Sequence, residues 1–364
     1  TSAPVPVAAS TTIPAPIPTP VLEPLPTVKS RVPTITPRLI PDINLEEAIR
    51  DRLNIPDGVE ITPSLMESLR HLDAGNLEIK KLDGLEYAVN LEQLRLDSNQ
   101  ITDISPLESL TRLNVLRAHG NDIRDIKALM PLTNLEELYL GENAIDDLGP
   151  LSSLTSLKTL SLSQNRISNI DPLKSLHNLG FLWLNENPIL DLRPLSALGN
   201  LEDLNLGSTN PNQAEGHYAS LSSLTKLTVL NLTDNYIVDV GFLSQLTRLR
   251  VLTLAGNGTL RDVGPLAALT NLRRLEFINT SVRNCDVLDS LPNVVSIELN
   301  RNYCVDGFLG YENGVTWGST AVSEGDIRME HGVTHMWSSA SVERHSLYFY
   351  GGRGYSPAFF GTVV

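Results

Sequence analysis

The chain is 364 residues long, room for two or three ordinary domains, and carries 42 acidic against 28 basic side chains for a net charge of −14. That balance argues against nucleic acid, whose recognition rests on a basic surface, and no stretch approaches the roughly 18 uninterrupted apolar residues of a membrane span. Two cysteines are too few for a disulfide-stapled scaffold, and no Cys/His set has zinc spacing.

Residues 1–41 hold 11 of the 23 prolines among Thr, Ser and Val. Proline fixes φ and lacks an N–H, so the tract reads as a disordered, extended, semi-rigid linker, favoured over a PxxP ligand for an adaptor domain. Thr stands first and no apolar leader is read, which suggests a processed or shortened form. Residues 42–68 read as a helical cap. In PDINLEEAIRDRLNIP, Asp42 starts a helix with Leu45, Ala48, Ile49 and Leu53 on one face, and in TPSLMESL, Thr62 is the N-cap with Pro63 at the first helical position.

An internal repeat dominates residues 69–311. Leucine-led units begin at Leu91, Leu113, Leu135, Leu157, Leu179 and Leu201, in steps of 22, and continue at Leu227, Leu249, Leu272 and Val294, with a degenerate unit at Leu69: about eleven units. In LEQLRLDSNQITDISPLESLTR, Leu94 and Leu96 alternate inward from a short strand, Ile101 and Ile104 return to the core, and Leu107 and Leu110 seal the far side. Asn99, Asn121, Asn143, Asn165, Asn187, Asn235, Asn257 and Asn302 form a column whose amides can satisfy backbone groups after each strand. Pro106, Pro150, Pro172, Pro194 and Pro265 disfavour a regular outer helix and predict short 3₁₀ turns.

The 22-residue N-x-I-x-D-I-x-P-L unit resembles that of leucine-rich repeat proteins of the internalin type, found on bacterial surfaces, and the helical cap resembles theirs too. The resemblance implies an α/β solenoid, a right-handed horseshoe with a parallel concave sheet, and an extracellular or cell-surface location. It transfers no functional residue, because partners in this family are chosen by variable strand positions.

Those positions can be read off each LxxLxLxxN block. Arg95, Arg117, His119, Tyr139, Phe181 and Trp183 gather on the N-terminal half of the concave face, a concentration that stands out in a chain with 5% aromatics. Strands lie ~4.8 Å apart, so Tyr139 and Trp183, two strands removed, fall within about 10 Å. Such residues dominate interfaces, which makes them the candidate binding site; the plainer reading is that they pack on one another. Toward its end the concave face turns polar and acidic and reads as solvated, or at most a rim.

In the Leu201 unit the ladder position is Thr209 and the turn expands by four residues through Asn210 to Tyr218, which either decorates a binding edge or is neutral drift. Cys285 and Cys304 fall at inward positions and read as buried thiols, with a disulfide left open. Asn231, Asn257 and Asn279 head glycosylation sequons, Asn257 being an inaccessible ladder residue. The pair Asp146 and Asp147 lies on a repeat turn and reads as solvated charge. Residues 312–364 match no pattern and read as a C-terminal cap or tail. His331 and His335, beside Glu330, are four apart, but Gly332, Val333 and Thr334 are poor helix formers, so no metal site is assigned.

No nucleophile elbow, Walker or dinucleotide motif occurs. The sequence thus points to a non-enzymatic module without cofactor or metal that binds a protein partner, favoured as a monomer. Two alternatives stay open: an intracellular regulator of the phosphatase-regulating leucine-rich type, and an enzyme with its chemistry in the C-terminal region.

Overall fold

The computed structural model describes residues 38–209 and 217–298 and a short strand at 328–330. Helix α1 (Ile43–Leu53) buries Leu45 and Ile49, and α2 (Pro63–Met66) buries Met66. Both start on oxygen side chains. Asp42 Oδ1 accepts the N–H groups of Asn44 and Leu45 at 3.1 and 3.2 Å, and Thr62 Oγ1 accepts that of Leu65 at 3.4 Å. The second oxygen of Asp42 accepts from Lys80 and Lys81 N–H at 2.8 and 3.1 Å. One carboxylate therefore caps α1 and ties it to the turn of the first repeat.

Eleven three-residue strands then run parallel in chain order: β1 (His71–Asp73), β2 (Gln93–Arg95), β3 (Val115–Arg117), β4 (Glu137–Tyr139), β5 (Thr159–Ser161), β6 (Phe181–Trp183), β7 (Asp203–Asn205), β8 (Val229–Asn231), β9 (Val251–Thr253), β10 (Arg274–Glu276) and β11 (Ser296–Glu298). A twelfth, β12 (Arg328–Glu330), pairs antiparallel with β11. Register is set residue for residue by the repeat, Leu94 opposite Leu116 opposite Leu138. The middle residue of each strand from β1 to β11 is buried, as are the second leucine of each LxL, the returning isoleucines and the outer leucines. Each such side chain stabilises the solenoid by roughly 1.5–3 kcal/mol, and none could be buried by one unit alone. The outer segments are short 3₁₀ turns, such as Ser105–Leu107, Asp171–Ser175 and Arg193–Ala197, with proline in their first positions. The architecture is an open leucine-rich repeat horseshoe.

Three columns of side chains satisfy the coil backbones. In the first, Asn165 Nδ2 donates to Leu140 O and Leu162 O at 2.9 and 3.1 Å while its Oδ1 accepts Ile145 N–H at 2.9 Å. Asn99, Asn121, Asn143, Asn187 and Asn257 repeat this arrangement. Asn235 donates to Leu206 O at 2.7 Å, and Asn302 lies outside the described residues. Thr209 keeps only part of the role, its hydroxyl lying 2.9 Å from Leu206 O and 3.0 Å from Asn235 Oδ1. The second column was not expected: Asp103, Asp125, Asp147, Asn169, Asp191, Asp239 and Asp262 each accept the N–H two residues on at 2.8–2.9 Å, opening the 3₁₀ turns. In the third, Asn90, Asn134, Asn178, Asn200, Asn271 and Asn293 donate to carbonyls of the preceding coil at 2.7–2.9 Å.

Asp146 and Asp147 are exposed, as the solvated reading has it, and they also make contacts: Asp147 belongs to the second column, and Asp146 pairs with Arg124 at 2.6 Å. One expectation is corrected here. Cys285 is buried, but in a disulfide rather than as a thiol. The chain's other cysteine, Cys304, lies outside the described residues, as do residues 1–37, most of the expanded turn (210–216), His331, His335 and nearly all of 312–364. Past that turn, His217 Nδ1 meets Asp191 Oδ1 at 3.1 Å and Tyr218 stacks on Phe242 with ring centroids 5.8 Å apart. Burial pushes the Tyr218 hydroxyl pKa up, and the Arg193 hydrogen bond leads in holding Asp191 well below the usual carboxylate range.

Candidate binding surface

Strand residues one and three of each coil face the concave side, so each coil delivers two side chains to that surface at fixed positions. Five of the six candidate residues occupy these strand positions, His119 lying two residues past β3, and the six form distinct groups.

Arg117, Tyr139 and Trp183 make one row. The Arg117 guanidinium carbon sits 4.6 Å from the Tyr139 ring centroid, and the Tyr139 and Trp183 centroids are 6.3 Å apart with planes tilted by 36°. The sheet alone would hold the two aromatic positions about 9.6 Å apart, two strand spacings. The residue between them in register is Ser161, small enough for the rings to lean together above it. Polar tethers fix the tilt. The Tyr139 hydroxyl donates to Glu137 Oε2 at 3.0 Å, Arg117 reaches the same carboxylate oxygen at 3.7 Å, and Trp183 Nε1–H donates to Asp203 Oδ1 at 3.1 Å. The rings touch, as the packing reading has it, and they lie on the open face of the sheet.

Phe181, on the same strand face as Trp183, is 41% exposed. Arg95 is engaged by Asp97 at 2.9 Å and Asp73 at 3.1 Å, and these contacts, the Asp97 hydrogen bond foremost, raise its pKa. His119 lies against Gly141, where a Cβ would stand 2.9 Å from Nδ1, so glycine makes room for the imidazole. Its Nε2 is 3.4 Å from Glu142 Oε1, in a geometry that makes no hydrogen bond. Arg95 is therefore engaged one coil before the row, whereas His119 lies on the Arg117 coil, two residues beyond Arg117.

Asp203 was passed over in the sequence. Burial pushes its carboxyl up to about 6, with the Trp183 N–H offsetting part of the rise. The available signal was its position, a single acid between Phe181 and Val229 in one column.

Among the described residues no group of three or more His, Cys, Asp or Glu could hold a metal ion, and no helix is long and apolar enough to cross a membrane.

The model of the family described as leucine rich repeats (2 copies) matches residues 67–109, 89–129, 111–153, 133–175, 155–197 and 225–268. Among solved structures, an internalin of Listeria monocytogenes is 31% identical, with 73% of this chain and 91% of that one covered and a TM-score of 0.52. Internalin C2 of the same organism is 33% identical over 59% of this chain and 95% of that one, TM-score 0.56. A leucine-rich repeat protein of Leptospira interrogans is 26% identical over 65% and 62%, TM-score 0.60.

Proposed function

Since this chain belongs to the internalin-like leucine-rich repeat proteins, we propose that it is an exported, non-enzymatic recognition protein that takes a protein partner on its concave sheet. The observation that carries the reading is the row Arg117, Tyr139, Trp183. Its side chains are of the types that dominate interface energetics, and they are already held in place by Glu137, Asp203 and the gap over Ser161. Such preorganisation lowers the ordering cost of association.

Export draws support from Cys285, because structural disulfides persist in oxidising compartments and are rare in the cytosol. The same observation weighs against an intracellular phosphatase regulator.

The test is affinity capture from cell-surface extracts with the full chain beside a Tyr139→Ala/Trp183→Ala variant whose circular dichroism is unchanged. A partner captured by the parent and lost by the variant supports the reading. Equal capture moves recognition off the concave row.

A further inference from the structure

The concave positions of β5 to β9 form an uncharged stretch with one exception. Reading the two strand columns and the one that follows them, these coils present Thr159, Phe181, Val229, Val251, Ser161, Trp183, Asn205, Asn231, Thr253, Ser163, Asn185, Gly207, Thr233 and Ala255, with Asp203 as the only ionisable side chain. Asp203 is half-buried, and among the described residues it forms no ion pair; its hydrogen bond is to the Trp183 indole. The concave cations on either side are Arg117, four strands away, and Arg274, three strands away, or about 19 and 14 Å at ~4.8 Å per strand. Both distances exceed the Debye length of ~8 Å, and both cations already face carboxylates, Glu137 and Glu276. On the rim, Lys158 is bound to Glu136 at 2.7 Å.

A carboxylate partly removed from water without a counter-charge is disfavoured, and folds normally pair it or leave it exposed. Here it stands beside two aromatic side chains: Phe181 is its register partner on β6, 41% exposed, and Trp183 is its hydrogen-bond donor. A half-buried carboxylate beside aromatic side chains favours a cation, which can meet the charge and a ring together, and the same sheet shows a cation on a ring within itself, Arg117 over Tyr139 at 4.6 Å. We infer that Asp203, Phe181 and Trp183 form a seat for one lysine or arginine side chain of the partner, so that the segment recognised on the concave face is basic. The inference rests on the concave-face reading and narrows it to a partner chemistry.

Partial burial raises the carboxyl's pKa, and the Trp183 N–H offsets part of the rise.

The test uses the full chain labelled with ¹⁵N at its three tryptophan indoles, the Trp183 signal being assigned through Trp183→Phe. The probes are the blocked tripeptides Gly-Lys-Gly and Gly-Arg-Gly and the isosteric neutral Gly-norleucine-Gly. The expected result is a saturable shift of the Trp183 indole signal with the Lys and Arg peptides in the millimolar range and none with norleucine. Asp203→Asn, whose amide oxygen can still accept the indole N–H, should weaken that response at least tenfold. An equal response to norleucine, a Lys response that survives Asp203→Asn, or no Lys response up to tens of millimolar overturns the seat; so does a shift with a neutral disaccharide where the Lys peptide gives none. The two readings fail separately. Partner capture that is lost in Tyr139→Ala/Trp183→Ala but unchanged in Asp203→Asn keeps the concave surface and removes the seat, whereas a lysine response with no protein captured keeps the seat and removes the protein partner.

Discussion

Trp183 and Asp203 stand on adjacent strands, and the indole N–H of one donates to the carboxylate of the other at 3.1 Å, the acid's only side-chain hydrogen bond among the described residues. Asp203 binds its proton more tightly in the folded chain, at about 6, than in the unfolded one, near 3.9. The folded state therefore holds the extra proton between those values, and stability falls as pH rises through them. A difference of about 2 units corresponds to about 2–3 kcal/mol, felt in full above pH ~6. Asp203→Asn should accordingly be more stable than the parent at pH 7.5 by about 2 kcal/mol, with the gap closing below pH ~4. Urea midpoints at the two pH values measure it, and a pH-independent gap would refute the assignment.

The buried ladder asparagines should be the costliest polar positions in the solenoid. Asn165→Ala strands the Leu140 and Leu162 carbonyls and the Ile145 N–H together, and a loss of about 3 kcal/mol or more is expected at 1–3 kcal/mol per orphaned group. Asn165→Thr, copying what Thr209 and Thr280 do with one hydroxyl each, should lose about half as much. Chemical denaturation of the pair tests the ratio.

Asp42 serves two elements, so its replacements should separate. Asp42→Ala removes the cap of α1 and the acceptor for Lys80 and Lys81, a cost of about 2 kcal/mol. Asp42→Asn retains one accepting oxygen for the helix and should cost less than half of that. Hydrogen exchange in α1 and at Lys80 and Lys81 reports which end has opened.

Ser161 leaves the space into which Tyr139 and Trp183 lean. Ser161→Leu places a branched side chain between the rings and should separate them while leaving stability within about 1 kcal/mol, since the position faces outward from the sheet. Partner capture should fall at least tenfold. Unchanged capture would mean that the contact between the rings contributes nothing to recognition.

What the sequence disclosed follows from its periodicity. A step of 22 repeated at Leu91, Leu113 and Leu135 determines which residues face inward, hence the strands, the buried leucines and the concave columns. Asn99 and its equivalents were legible because a buried amide at a fixed position has few other uses. The second column escaped notice because Asp147 and its kin lie on the outside, where an acid looks like any solvated charge; only the 2.8 Å bond to Gly149 N–H distinguishes it. The contact between Tyr139 and Trp183 was bounded at about 10 Å by strand spacing, but the closure to 6.3 Å depends on ring tilt, which no spacing encodes. Asp203 needed its burial to be seen, and the state of Cys285 needed a partner that phase alone could not choose.

The residue-for-residue register between neighbouring coils makes the concave face a ruler. Tyr139, Trp183 and Asp203 occupy graduations on it, and the interval between any two is a whole number of steps of about 4.8 Å. Gain or loss of one repeat between them would lengthen or shorten a single interval by one graduation and leave the chemistry at each mark intact. Variation in such a surface is therefore quantised: a partner whose own features are spaced continuously can be tracked only in whole increments, and finer adjustment falls to the tilt of individual side chains.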